Sequence, residues 1–290
     1  MSKDSRVTCV GDLMWVIERP LGDLPRTNRT CVVRGDKATL GGSAWNIVEH
    51  LAALRQPAEF VALVGAMDRA VVLDELKLKE IDSSGLIPYD GPTNVLVAFL
   101  GNKSTRSVFV CGKNASHGVA QLADRLAGES TLIFGGSRDK LVRSAVLERV
   151  ERGSCSFVFA PSYSVFVHKP DELLRFSKSA DVVVLNEAEF RFFSEAIGGK
   201  QRSLDSQRCC IVTRGHRGAT VYVGKRGKRI PSSSGSDDDV IGAGDAFLAA
   251  FIVSWLRCRD PILAGQAGGE FAGNFVRTKS PNPVARLAPT

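Results

Sequence analysis

Residues 239–251 read DVIGAGDAFLAAF, a run of small residues with one carboxylate, Asp245, set just behind it. Downstream, Phe247, Leu248, Phe251, Ile252, Trp255 and Leu256 recur at a spacing that predicts one apolar face of an amphipathic helix. The mouth of such a helix offers unpaired N–H groups and the positive end of its dipole. Gly242, Ala243 and Gly244 leave a phosphate room to approach the backbone there. An aspartate beside that anion hole would repel what the hole binds. The arrangement makes sense if the carboxylate takes the proton from a hydroxyl about to attack phosphorus. The competing reading is an N-terminal acid that only stabilises the helix dipole.

The elements that must position this carboxylate follow from the pattern of the rest of the chain. Short apolar runs, FVALVG at 60–65, TLIFGG at 131–136, SFVFAP at 156–161, DVVVLN at 181–186 and CCIVTRG at 209–215, mostly precede helical patterns, as in a parallel sheet covered by helices on both faces. VTCVGDLMWVI reads as an opening strand, and SAWNIVEHLAAL as a helix carrying Ala44, Ile47, Val48, Leu51 and Leu54. Two stretches break the alternation: TCVVRGDKATL at 30–40, and TNVLVAFLGNKSTRSVFVCG at 93–112, a hairpin pattern turning at GNKSTR. Open α/β sheets bind ligands beyond the carboxyl ends of their strands, so a small β appendage there would act as a lid.

Composition narrows the function classes. The chain has 290 residues, 44% hydrophobic and 24% charged, which excludes a disordered or fibrous protein. Its start lacks a signal-peptide pattern and no segment runs 18 apolar residues without charge, so a cytoplasmic protein without a membrane partner is expected. Seven cysteines are scattered and never form C-x-x-C, which argues for reduced, mostly buried thiols rather than disulfides or zinc. The formal charge of +7 has its densest cluster in GKRGKR at 224–229, where a hairpin tip is expected; without interleaved aromatics it does not read as a nucleic-acid site. His50, His117, His168 and His216 show no metal-ligand spacing. A dinucleotide-binding G-x-G-x-x-G after the first strand and a P-loop G-x-x-x-x-G-K-[ST] are both lacking.

DVIGAGDAF resembles the C-terminal signature of the ribokinase-like (PfkB) carbohydrate kinases, and the resemblance runs in order along the chain. GGSAWN at 41–46 is similar to that family's N-terminal glycine pair and substrate asparagine, VVLNEAEF at 183–190 to its N-x-x-E motif, IVTRGHRG at 211–218 to its nucleotide-side T-x-G segment, and AGNFVRTKSPNPVARL to its last helix and tail. The resemblance implies a three-layer α/β/α sandwich over 1–290 as one domain, with a mostly parallel sheet and a small β lid from about 17–40 and 93–112. It implies Asp245 as catalytic base, Gly242, Ala243 and Gly244 as anion hole, and Thr213, Gly215 and Asn274 at ATP. Asp12, Gly42, Ser43 and Asn46 would lie on the acceptor side, with Asn186 and Glu189 organising Mg²⁺ through water. It also implies a homodimer through the lid. Read without the family, Asn186 and Glu189 fit a helix capping box, Asn46 a solvent-facing helix position, Gly41 and Gly42 a turn, and Thr213 and Gly215 a strand exit.

The chain departs from the family pattern in two places. Val240 and Ile241 stand where hydroxyl residues are usual, which weakens any monovalent-cation site near Asp239. Val16 stands where many members carry a sugar-binding aspartate five positions after a glycine equivalent to Gly11. Asp12 cannot simply replace it, since four residues along one strand span roughly 13 Å. The expected activity is ATP-dependent phosphorylation of a hydroxyl of a sugar or sugar derivative, with plain ribose and fructose poor acceptors, or alternatively of a nucleoside contacted by Trp15 and Val16. A catalytically degenerate regulator is the non-enzymatic alternative.

Overall fold

The computed structural model of the chain describes residues 7–20, 38–100, 106–112, 119–127, 131–153, 155–198, 209–234 and 241–279. The turn at 101–105, most of the 30–40 stretch, Asp239, Val240, Cys31, His117 and the tail from 280 lie outside the described residues.

The described residues form two sheets. The small one contains β2 (Met14–Pro20), β3 (Ala38–Gly41), β6 (Asn94–Leu100) and β7 (Arg106–Cys111) in the order β3-β2-β6-β7. The large one contains β1 (Val7–Val10), β4 (Ala58–Gly65), β5 (Leu86–Tyr89), β8 (Thr131–Phe134), β9 (Phe157–Phe159), β10 (Val182–Asn186), β11 (Cys209–Thr213), β12 (Ala219–Val223) and β13 (Arg226–Ile230). Its order is β13-β12-β11-β10-β9-β8-β1-β4-β5, parallel from β5 to β11 and antiparallel for the last two pairings.

Strand alternation sends side chains to two separate cores. Val7, Cys9, Phe60, Ala62, Val182, Val184, Cys209 and Ile211 pack on one face with helices α1 (Ser43–Ala53), α7 (Ala243–Cys258) and α8 (Pro261–Thr278). Val10, Val61, Val183, Leu185, Cys210 and Val212 pack on the other with α4 (Lys140–Glu151), α5 (Pro170–Ser179) and α6 (Glu187–Ala196). This is why the strands read as unbroken apolar runs. Helices α2 (Arg69–Leu78) and α3 (Val119–Arg125) complete the described helices.

Three expectations need correction. The opening stretch is not one strand: β1 belongs to the large sheet, the chain leaves it at Gly11–Leu13, and β2 belongs to the small sheet. The distance along a single strand from Asp12 to Val16 therefore has no meaning here. Second, α7 is not amphipathic. Ala246 to Val253 are all buried, because α7 packs between α1 and α8 over the large sheet's core, and Ala246 and Ala250 meet Phe271. A helix covered on both sides has no polar face to show. Third, the 224–229 cluster is mostly strand: only Gly224 and Lys225 form the tip, and the remaining basic residues lie on edge strand β13, where charge discourages further pairing.

Cys9, Cys209 and Cys210 are buried thiols, Cys155 is half-buried, and Cys111 and Cys258 are exposed. Among the described residues no helix is long and apolar enough to cross a membrane.

Candidate active site

An open cavity of about 610 Å³ lies where the carboxyl ends of the large sheet's strands meet the small sheet. Two helices start at it, each after a glycine of positive φ. Gly42 precedes α1 with φ 110° and Gly242 precedes α7 with φ 90°, backbone conformations that favour glycine. At Gly42 a Cβ would also come within 2.3 Å of the Asp12 carbonyl oxygen. The glycine is thus a structural requirement of the turn as well as a lining residue.

The two helix mouths bring Asp245 to Ser43 and Asn46. Ser43 Oγ donates to Asp245 Oδ1 at 2.5 Å, and Asn46 Nδ2 donates to Oδ2 at 2.8 Å. Asn46 therefore does not face solvent. Burial pushes the Asp245 carboxyl up to about 6, against the lowering pull of these two hydrogen bonds. The carboxylate is thus poised near neutrality and held by side chains 199 and 202 positions away, an environment that permits proton transfer near neutral pH. Beside it, Gly242, Ala243 and Gly244 line the cavity at the first turn of α7.

Asn186 and Glu189 form the full capping box. Asn186 Oδ1 accepts from the Glu189 N–H at 2.9 Å, Glu189 Oε2 from the Asn186 N–H at 2.8 Å, and Glu189 Oε1 from Asn186 Nδ2 at 2.6 Å. Both also line the cavity. The Glu189 carboxyl is buried and pushed up to about 7, by desolvation first and also by the charge of Asp245. Two carboxylates, one of which raises the other's proton affinity, beside an amide oxygen form an all-oxygen set that fits a hard divalent cation. The Asn186 bonds occupy both Glu189 oxygens, which favours contact through water. Among the described residues no group of three or more His, Cys, Asp or Glu could hold a metal.

Thr213 ends β11 directly beside Asn186 of β10, and Gly215 follows with φ 55°; both line the cavity. Two other expected residues are placed differently. Asn274 sits on α8 with its side chain accepting from Arg277 Nη2 at 3.3 Å, while Gly269, Ala272, Gly273, Phe275 and Val276 line the cavity from that helix. Asp12 is buried behind the lining, accepting from Ser137 Oγ at 2.5 Å, the Arg138 N–H at 3.1 Å and the Tyr163 hydroxyl.

On β2 the pleat turns Met14, Val16 and Glu18 to the cavity and Trp15 away, where its indole N–H bonds Asp68. Trp15 therefore does not contribute the apolar contact expected of it. Tyr163 and Phe166, on a 3-10 turn after β9, line the cavity instead. They carry no motif; only the aromatic spacing in SYSVFV marks them.

This layered sheet with a buried carboxylate at a helix mouth is a ribokinase-like fold. The model of the pfkB family carbohydrate kinases matches residues 4–285, and the chain belongs to that family of phosphotransferases. It is 26% identical over 296 residues to the ATP-dependent ribose-1-phosphate kinase of Halopiger xanaduensis, covering 98% of this chain and 95% of that protein. It is 24% identical over 245 residues to the fructosamine kinase FrlD of Bacillus subtilis, covering 80% and 82%. The nucleoside kinase of Burkholderia thailandensis in complex with inosine superposes with a TM-score of 0.81 at 18% identity, covering 96% of this chain and 93% of that one.

Proposed function

We propose that the protein transfers the γ-phosphoryl group of ATP to a hydroxyl of a substituted sugar, with Mg²⁺ bound. What carries this reading is the Asp245 carboxylate, held by Ser43 and Asn46 at the mouth of α7. Asp245 takes the acceptor's proton, and the N–H groups of Gly242, Ala243 and Gly244 receive the negative charge of the phosphoryl in flight. Asn186 and Glu189 would hold Mg²⁺ through water, and the cation would neutralise phosphate charge when bound. Thr213 and Gly215 lie on the nucleotide side. Phosphoryl transfer needs positioning and charge neutralisation more than covalent chemistry, and these groups supply both.

The nucleoside alternative draws support from the acceptor wall. Val16 offers no hydrogen bond, so two sugar hydroxyls placed against it would be left unpaired at roughly 1 to 3 kcal/mol each. The acceptors named for the similar proteins, ribose-1-phosphate, a fructosamine and a nucleoside, are all sugars bearing a substituent. The small sheet would close over the acceptor as a lid, and exposed Phe109 on its edge strand β7 supports pairing of two copies there. The test is ADP release by the purified protein with Mg-ATP over ribose, fructose, ribose-1-phosphate, a fructosamine and inosine. The substituted sugars should turn over and plain ribose and fructose should be poor. Turnover of none would return the regulator reading.

A further inference from the structure

The small sheet walls the cavity with the apolar side chains Met14 and Val16 of β2, Leu96 of β6 and Val108 of β7, beside Glu18 of β2 and Thr39 of β3. Tyr163 and Phe166 add two aromatic rings, and residues three apart on a 3-10 turn share one face. Phe166 is itself braced edge-on by Phe192, with centroids 5.0 Å apart.

The Tyr163 hydroxyl does not serve the cavity. It donates to Asp12, which stands behind the lining and is held by Ser137 Oγ and the Arg138 N–H. What Tyr163 offers a ligand is its ring. The turn that carries it is fixed at a cost: Ser162, just before it, lies in the left-handed region at φ 50°, which disfavours a residue with a side chain. The turns after β8 and β9 also interlock, since a Cβ at Gly136 would come within 2.3 Å of the Pro161 carbonyl oxygen.

We propose that Tyr163, held in place by Asp12, is the platform on which a flat, uncharged substituent of the acceptor lies, so that the enzyme prefers a nucleoside-like sugar to the bare sugar. This rests on the acceptor reading above. Asp12 is then a positioning residue that acts through Tyr163, and ring contact takes the place of the specificity lost with an aspartate at Val16. Burial, and then the charge of Asp12, push the Tyr163 phenol up, so it stays a neutral donor to that carboxylate.

The experiment compares kcat/KM for inosine and for ribose, with Mg-ATP, in the full chain and its variants. Tyr163→Leu should lower the inosine value about tenfold, the scale of one lost base–aromatic contact. The ribose value and the KM for ATP should change by less than about threefold, so the preference for inosine collapses. A ring kept only for stability would lower both acceptors alike. Tyr163→Phe keeps the ring and loses the anchor, and should lose part of the preference. Asp12→Asn should also lower it in the wild-type background and have no further effect on it beside Tyr163→Leu. An unchanged preference in Tyr163→Leu overturns the proposal, as does an additive effect of Asp12→Asn in the double variant. Should Tyr163→Leu fail to fold, an unchanged preference in both Tyr163→Phe and Asp12→Asn is the overturning result. A wild type that prefers ribose overturns it directly, and a wild type that phosphorylates neither overturns the acceptor reading together with it.

Discussion

The two sides of the cavity are built on opposite principles. At the carboxyl edge of the large sheet the polar groups saturate one another: Asp245 with Ser43 and Asn46, Glu189 with Asn186. On the small sheet Met14, Val16, Leu96 and Val108 form an apolar wall, with Glu18 and Thr39 as its polar lining residues. The first region fixes where a proton and a phosphoryl group go. The second decides only what is allowed to lie against it. Changes in the first should therefore abolish turnover, and changes in the second should redirect it.

The largest effect is expected at Asp245. Asp245→Asn should lower turnover by roughly 10² to 10⁴, the range for loss of a general base, while calorimetry still finds nucleotide bound. Retained turnover would reduce Asp245 to a partner of the helix dipole. On the opposite wall, Val16→Asp restores two acceptor oxygens with little change of volume. The ratio of kcat/KM for ribose over inosine should rise by about tenfold, the worth of one well-placed hydrogen bond to an otherwise unpaired hydroxyl. An unmoved ratio would show that Val16 does not touch the acceptor.

Glu189→Gln should raise the Mg²⁺ concentration for half-maximal rate by a few-fold, because the hard cation prefers water held by a carboxylate. An unchanged Mg²⁺ dependence with a lower thermal midpoint would leave Glu189 as a cap alone. A smaller shift should appear in the pH profile. With the Asp245 carboxyl at about 6, kcat/KM should fall as pH drops through that value, since the base must be ionised to accept a proton. Ser43→Ala and Asn46→Ala each remove a donor to the ionised form, so each should move this acid limb to higher pH. A limb that stays in place in both would assign it to another group. The smallest effect belongs to Asn186→Ala, which removes the side-chain cap of α6 and should cost about 1 kcal/mol of stability by denaturant unfolding.

The capping box shows why two readings of one motif need not compete. Asn186 and Glu189 are three apart at a strand-to-helix junction, and that spacing alone fixes the reciprocal bonds. The same bonds aim the pair into the cavity because β10 ends there. Val16 teaches the complementary lesson. Its identity as an apolar residue was legible, yet its partners were not, since the pleat of β2 replaced Trp15 by residues from a turn nearly 150 positions away.

The sequence by itself determined the layered α/β plan, because strands buried on both faces must read as apolar runs and helices must alternate with them. It also determined the small-residue mouth of α7 with Asp245, Gly242 and Gly244, because helix termini and close backbone approach demand those residue types locally. Only the tertiary structure decided that the first apolar stretch divides between two sheets, that α7 is covered on both sides, and that Asp12 serves Tyr163 rather than the cavity. Each of these depends on which elements become neighbours across long sequence separations. Local periodicity carries the conformation of a segment, but not the identity of what packs against it.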